Sequence, residues 1–157
     1  HKMRVEGIAS STKPLNLGGT IVDNIRIRFE GGKVVEAGAT RGSDALQRLI
    51  GTDEGARRLG EVALVPHSSP ISQSGILFYE KLFDENAACH IALGEAYTEC
   101  FQNRSGLKAD DYAALGANIS NIHVDWMIGS DKVDVDGITQ SGLVVPVMRK
   151  GEWVYRR

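Results

Sequence analysis

Cysteine, aromatic side chains and any surplus of charge are all scarce in this chain of 157 residues. Its two cysteines, Cys89 and Cys100, form neither a C-x-x-C pair nor an extracellular disulfide framework, so a reducing cytoplasm is the expected setting. Aromatics make up 6% of the chain, and 18 Lys and Arg against 20 Asp and Glu leave a net charge of -2 with no basic stripe, which argues against a nucleic-acid partner. No apolar run approaches the roughly 20 residues of a membrane span, and no signal peptide is visible. Without a secretory signal, the glycosylation triplets Asn103-Arg104-Ser105 and Asn118-Ile119-Ser120 carry little weight. What remains is long enough to bury a core, at roughly two thirds of the unfolded surface. With no internal repeat and no linker, residues 1–157 are expected to form a single domain.

The pattern is strand-rich. Thr20 to Phe29 alternates through Ile21, Ile25, Ile27 and Phe29, Gly31-Gly32 offers a hairpin turn, and Val34 and Val35 begin the return strand. Ser43 is an expected N-cap for a helix through Ala45, Leu46, Leu49 and Ile50. Glu61 to Val65 reads as a buried strand and Phe78 to Phe83 as a short helical turn. Asn86 to Tyr97 is ambiguous, since a helix would stack His90, Gly94 and Tyr97 on one face while Ile91 to Leu93 equally suits a strand. Beyond Gly106, the segments Trp126 to Ile128, Val133 to Val135, Gly142 to Met148 and Trp153 to Tyr155 read as a meander. Its turns are marked by Gly129-Ser130-Asp131, Asp136-Gly137, Ser141-Gly142 and Lys150-Gly151. The expected class is therefore α+β, a β-rich domain of antiparallel hairpins and meander with a few short helices.

His123 and Asp125 stand two apart in the β-branched run Asn121 to Gly129. In a strand, residues i and i+2 share a face, so an imidazole and a carboxylate point into one space while Ile122, Val124 and Trp126 face a core. Alone, such a pair is more often a structural hydrogen-bonded couple than a pair of ligands. A second cluster strengthens the metal reading: Asp84-Glu85-Asn86-Ala87-Ala88-Cys89-His90 sets two carboxylates ahead of a histidine with no Lys or Arg among them, a composition that suits a divalent cation. Glu61 heads an apolar run in which a charge is costly unless paired or metal-bound. Other candidates fall away. Cys89 as a thiol nucleophile is opposed by its acidic surroundings. Asp131, Asp134, Asp136 and Gly137 miss the EF-hand spacing and its bidentate glutamate, so they read as turn residues, and His67 reads as a loop residue.

Four strings, in this order and at these separations, resemble the aminopeptidase T and aminopeptidase S family of metallopeptidases. They are Ala56-Arg57-Arg58-Leu59-Gly60-Glu61-Val62-Ala63-Leu64-Val65, Ser69-Pro70-Ile71-Ser72 with Gly75, Leu82-Phe83-Asp84-Glu85-Asn86-Ala87-Ala88-Cys89-His90-Ile91-Ala92-Leu93-Gly94, and His123-Val124-Asp125-Trp126-Met127-Ile128-Gly129. The resemblance spans roughly the whole chain. It implies a two-metal exopeptidase that removes N-terminal residues from peptides, with Glu61, Glu85, His90, His123 and Asp125 as metal ligands and Tyr97 as the active-site tyrosine. It also implies a homodimer, and one more metal-binding glutamate just upstream of His1. On that view the chain is the C-terminal catalytic part of a larger aminopeptidase whose N-terminal domain is absent.

The expected chemistry is amide hydrolysis, in which divalent metal makes hydroxide available at neutral pH and polarises the scissile carbonyl. Glu61 is the expected bridging carboxylate and Tyr97 either a donor to the tetrahedral intermediate or a direct contact to a metal, while no general base can be picked out. Zinc, cobalt, manganese and magnesium all remain open. Five side chains are few donors for two ions, so the chain by itself is expected to be poorly active. The alternative is a metal-binding or dimerisation domain without catalysis.

Overall fold

The computed structural model describes residues 1–102 and 106–155, so the triplet Asn103-Arg104-Ser105 lies outside the described residues. The first half of the chain runs β1 (Gly7–Ser10), β2 (Leu15–Leu17), β3 (Thr20–Val22), β4 (Arg26–Glu30) and β5 (Lys33–Gly38), then helix α1 (Ser43–Ile50). Next come β6 (Leu59–Ala63), the short helices α2 (Pro70–Ser74) and α3 (Lys81–Asp84), β7 (His90–Gly94), helix α4 (Ala109–Ala114) and β8 (His123–Met127). The chain closes with β9 (Val135–Ile138), β10 (Val144–Arg149) and β11 (Glu152–Trp153). All pairings are antiparallel, in sheets ordered β1-β4-β5, β2-β3, β6-β7-β8 and β11-β10-β9.

One core joins the first sheet and α1 to the back of the β6-β7-β8 sheet. Ile25, Ile27, Phe29, Leu46 and Ile50 pack with Ile91, Leu93, Val124 and Trp126. The alternation has its expected result within β8, where Val124 and Trp126 are buried in the core and His123 and Asp125 take the opposite face, whereas Ile122 precedes the strand and is only half-buried outside that core. At the β4-β5 hairpin both Gly31 and Gly32 have positive φ, 55° and 76°, which a two-residue turn matching strand twist requires. No helix among the described residues is long and apolar enough to cross a membrane.

Several local expectations need correction. The run from Thr20 to Phe29 is broken after Val22, because Asn24 turns left-handed at φ 51° and Asp23 bridges to Arg41. Ser43 is the first helical residue instead of the cap; Gly42 holds the cap position at φ 72°, where a Cβ would stand 2.6 Å from the Ile21 carbonyl oxygen. The helical turn begins only at Lys81, since Tyr79 has φ 56°. The strand expected at Glu61 to Val65 runs from Leu59 to Ala63 at a sheet edge, with Val62 67% exposed. His90 to Gly94 is a strand, which excludes a helical face shared by His90 and Tyr97. Asp136-Gly137 lies inside β9 and is no turn, β8 belongs to a different sheet from the closing meander, and β11 ends at Trp153.

Two polar anchors hold the approach to β8. The buried Asn118 donates its side-chain amide to the carbonyls of Gly55, at 2.8 Å, and Gly94, at 2.6 Å. Asp53 accepts from the Asn121 amide at 2.7 Å, the Ser120 hydroxyl at 2.8 Å and the Ala56 amide at 2.7 Å. The Asn121 contact foremost holds its carboxyl below the usual carboxylate range. Asn118 is therefore a structural residue whose amide is already committed. Replacing Asn118 with Ala should cost about 1–3 kcal/mol for each carbonyl left unpaired. Urea denaturation checks this, and an unchanged midpoint would refute the anchoring role.

Candidate functional site

The register of the β6-β7-β8 sheet assembles the site. Ala92 pairs with Glu61 on one side and Asp125 on the other, so the two carboxylates flank a single methyl group on a shared face. Two places along β7, His90 occupies the same face, and His123 stands across from Gly94. The small residues Ala92 and Gly94 leave open the space that the charged groups enclose.

Glu61 reaches this face through a β-bulge. Leu59 pairs with Leu93 and packs against the core, so regular alternation would send Glu61 toward the core as well. The ladder shifts register between Leu59 and Glu61, which places Gly60 as the extra residue and turns Glu61 to the site. Only glycine fits there, because a Cβ on Gly60 would stand 2.0 Å from the Glu95 carbonyl oxygen.

That carbonyl accepts from Nδ1 of His123 at 2.7 Å, and the Ala88 carbonyl lies 3.1 Å from Nδ1 of His90. Each contact fixes a ring with Nε2 turned to the carboxylates. The Glu95 side chain also accepts from the Ser120 amide, tying the loop before β8 to the end of β7. The Glu61 oxygens stand 3.4 Å from His90 Nε2 and 3.3 Å from His123 Nε2, and Asp125 Oδ1 is 3.4 Å from His123 Nε2. The Tyr97 ring, carried on the segment after β7, packs on His123 with centroids 4.3 Å apart.

Two groups of three donors result, each with ligand atoms within 4.8 Å of one another: Glu61, His123 and Asp125, and Glu85, His90 and Asp125. Glu61 had been expected to bridge, and its two oxygens do face different imidazoles; Asp125, however, is the member common to both groups. Asp125 Oδ1 is buried without a hydrogen-bond partner, since the His123 contact falls outside hydrogen-bond geometry. An orphaned carboxylate oxygen among imidazole nitrogens and further carboxylates suits a divalent cation.

The electrostatics follow from this crowding. Burial, then the charges of Asp125 and Glu61, push the Glu85 carboxyl above its usual range, with the histidines opposing. Asp125 is pushed up by burial, but the imidazoles of His123 and His90 outweigh this and hold it low. The Asp125 carboxylate raises the His123 imidazole above its ordinary value against burial, with the Glu95 carbonyl and Glu61 assisting. Burial and the charges of Asp125 and Glu61 raise Tyr97, which keeps its hydroxyl protonated at neutral pH.

The cluster opens into a cleft of about 690 Å³ that includes Val62, Lys81, Leu82 and Tyr97 in its lining. The residues expected from the sequence, Glu61, Glu85, His90, Tyr97, His123 and Asp125, are thus brought together. Sequence reading missed the positioning carbonyls of Ala88 and Glu95, the bulge at Gly60, and Lys81. Glu95 could have been noticed, because a carboxylate following the apolar run Ile91-Ala92-Leu93 is the same signal that marked Glu61. The remaining candidates lie elsewhere: His67 sits in a loop against Ser72, and Cys89 is buried against Val65 and Met148. The Asp134 and Asp136 carboxylates bind the Lys150 amide and Arg149.

Comparison with known proteins gives a consistent result. The model of the family described as "Thermophilic metalloprotease (M29)" matches residues 1–153. "Aminopeptidase T" of Thermus aquaticus is 52% identical over 154 residues, covering 98% of this chain and 37% of that protein. "Aminopeptidase AmpS" of Bacillus subtilis is 48% identical over 151 residues, 96% of this chain and 37% of its own length. The solved structure titled "Wild-type AmpT from Thermus thermophilus" superposes with a TM-score of 0.92 at 52% identity, covering 99% of this chain and 38% of that one. The chain thus spans less than two fifths of the length of these relatives.

The raised pKa of His123 sets the sign of a pH dependence. In the metal-free protein its protonated ring adds stability that is fully present below the unfolded value and lost as pH rises through the folded one. NMR titration of His123 should show protonation persisting above pH 6.5, its ordinary value. Gly60→Ala should bring the midpoint down by displacing the Glu95 carbonyl. A midpoint at or below the ordinary value in the parent, or one unmoved by Gly60→Ala, would contradict this account of the site.

Proposed function

Because the chain belongs to the thermophilic metalloprotease family, M29, we propose that it supplies the metal centre of an aminopeptidase that hydrolyses the N-terminal residue from peptides. The observation that carries this reading is the pair of three-donor groups sharing Asp125, whose Oδ1 is buried and unpartnered. Glu61, His123 and Asp125 would hold one divalent ion, zinc, cobalt, manganese or magnesium, and Glu85, His90 and Asp125 a second. Such ions supply Lewis acidity toward a carbonyl and acidify water at neutral pH.

The chain's own residues would do the rest. The substrate's free amine would meet the metal or Glu80, a lining carboxylate outside the donor groups, which favours an exopeptidase. Tyr97, held on the His123 ring with its proton retained, is placed to donate a hydrogen bond to a developing oxyanion.

Five donors are few for two ions, so the reading calls for a further carboxylate from outside residues 1–157 and treats this chain as the C-terminal catalytic part of a larger enzyme. The two free thiols, Cys89 and Cys100, fit a cytoplasmic setting. A homodimer is supported by Ile138, Leu143, Val144 and Tyr155, apolar or aromatic residues exposed on or beside the closing sheet.

In the full-length protein, His123→Ala or Asp125→Ala should remove bound metal and lower peptide hydrolysis on the order of 100-fold or more. Urea stability should be largely kept. Trp126→Ala should instead cost about 3–5 kcal/mol of stability, because its ring fills the core behind the site. Full metal content with near-normal turnover in His123→Ala would defeat the ligand assignment, and metal retained without any hydrolysis in the parent would favour a binding domain without catalysis. Sedimentation of the parent at micromolar concentration should give a dimer; a monomer would remove that part of the reading.

A further inference from the structure

The charged lining of the cleft is one-sided. Glu61, Glu80, Glu85 and Asp125 contribute carboxylates, while Lys81 is the lone ammonium among its described lining residues. Lys81 opens α3 one turn ahead of Glu85 and makes no ion pair with any described residue. It also lines, together with Asp125, Tyr79 and Asp84, a second, smaller crevice. The Lys81 ammonium, exposed on a flexible four-carbon stem at the edge of a wall of carboxylates, can swing onto an anionic group that enters the cleft.

A peptide presents charges of both signs. Its amine is drawn to the donor cluster, whereas its free carboxylate meets, among the described residues that line the cleft outside that cluster, one ammonium, Lys81. Two or three extended residues span about 7–10 Å, and a cleft of this volume lies in the range that encloses a ligand of that size. We infer that Lys81 receives the free C-terminal carboxylate of the substrate, which makes di- and tripeptides with an unblocked C-terminus the favoured substrate class. This inference rests on the aminopeptidase reading above.

The test compares a tripeptide with its own C-terminal amide, using the full-length protein loaded with cobalt or zinc. The free acid should be favoured on the order of tenfold in kcat/KM, through KM, which is what a hydrogen bond between charged groups supplies. In Lys81→Gln the ratio should fall toward one, in Lys81→Glu it should invert in favour of the amide, and in Lys81→Arg it should be kept. Ratios within one preparation are independent of the fraction of enzyme that folds. Lys132→Gln, on a remote turn, serves as the control with the parent ratio. Equal rates on acid and amide in the parent, or a ratio unchanged in Lys81→Gln, would overturn the role of Lys81 while leaving the peptidase reading intact. Hydrolysis of neither substrate by the parent would instead sink the peptidase reading and this inference with it.

Discussion

Two carboxylates on one face of a small sheet, Glu61 and Asp125, and a third, Glu85, brought over them from the turn after α3, repel one another around two imidazoles, and burial of Asp125 sharpens that repulsion. The imidazoles of His123 and His90 offset part of that repulsion, and the backbone must hold the rest. The opposite face of the same sheet provides the hold. Ile91, Leu93, Val124 and Trp126 alternate with the charged residues and lock β7 and β8 onto the first sheet and α1. Apolar burial on one side thus sustains electrostatic tension on the other, and a bound cation would relieve what the core sustains.

The division of labour continues through the connections. Asp53 and Asn118 pin the segment entering β8 to Gly55, Ala56 and Gly94, so the strand carrying His123 and Asp125 starts from a fixed point. Neither residue touches the donor atoms, yet both set where those atoms arrive. The approach to α3 is fixed in a comparable way by the buried Asp84, whose carboxylate accepts the Phe78 and Glu80 amides and so orients the turn that presents Glu85 and Lys81. These anchors are polar groups satisfied by main-chain partners, which gives direction where apolar packing alone would not.

Much of this was legible in the sequence, for a specific reason. A period of two is unambiguous in Asn121 to Ile128, where β-branched residues and Trp126 alternate with His123 and Asp125, so the face that these residues take could be read directly. The Gly31-Gly32 turn was equally plain. Two classes of feature were not legible. Register shifts such as the bulge at Gly60 leave no periodic trace, because a single extra residue looks like an ordinary strand position until its partner is known. Short buried strands such as His90 to Gly94 match a helix as well as a strand, and only pairing with both neighbours decides between them. The family resemblance named the donor residues without these details, while the reason Glu61 turns to the site and the carbonyls that aim the rings emerged only from coordinates.

Both imidazoles are aimed through Nδ1 by main-chain carbonyls, those of Ala88 and Glu95. Substitution at either position leaves its carbonyl in place, so ring orientation is buffered against most changes at the residues that provide it. Sensitivity moves instead to positions that hold no functional group, chiefly Gly60 and Gly94, where the main chains approach too closely for any Cβ. Sequence drift in relatives of this domain should therefore be freer at Ala88 and Glu95 than at these two glycines. For engineering, the aim of the two rings is best left to the backbone, and variation directed to the cleft walls.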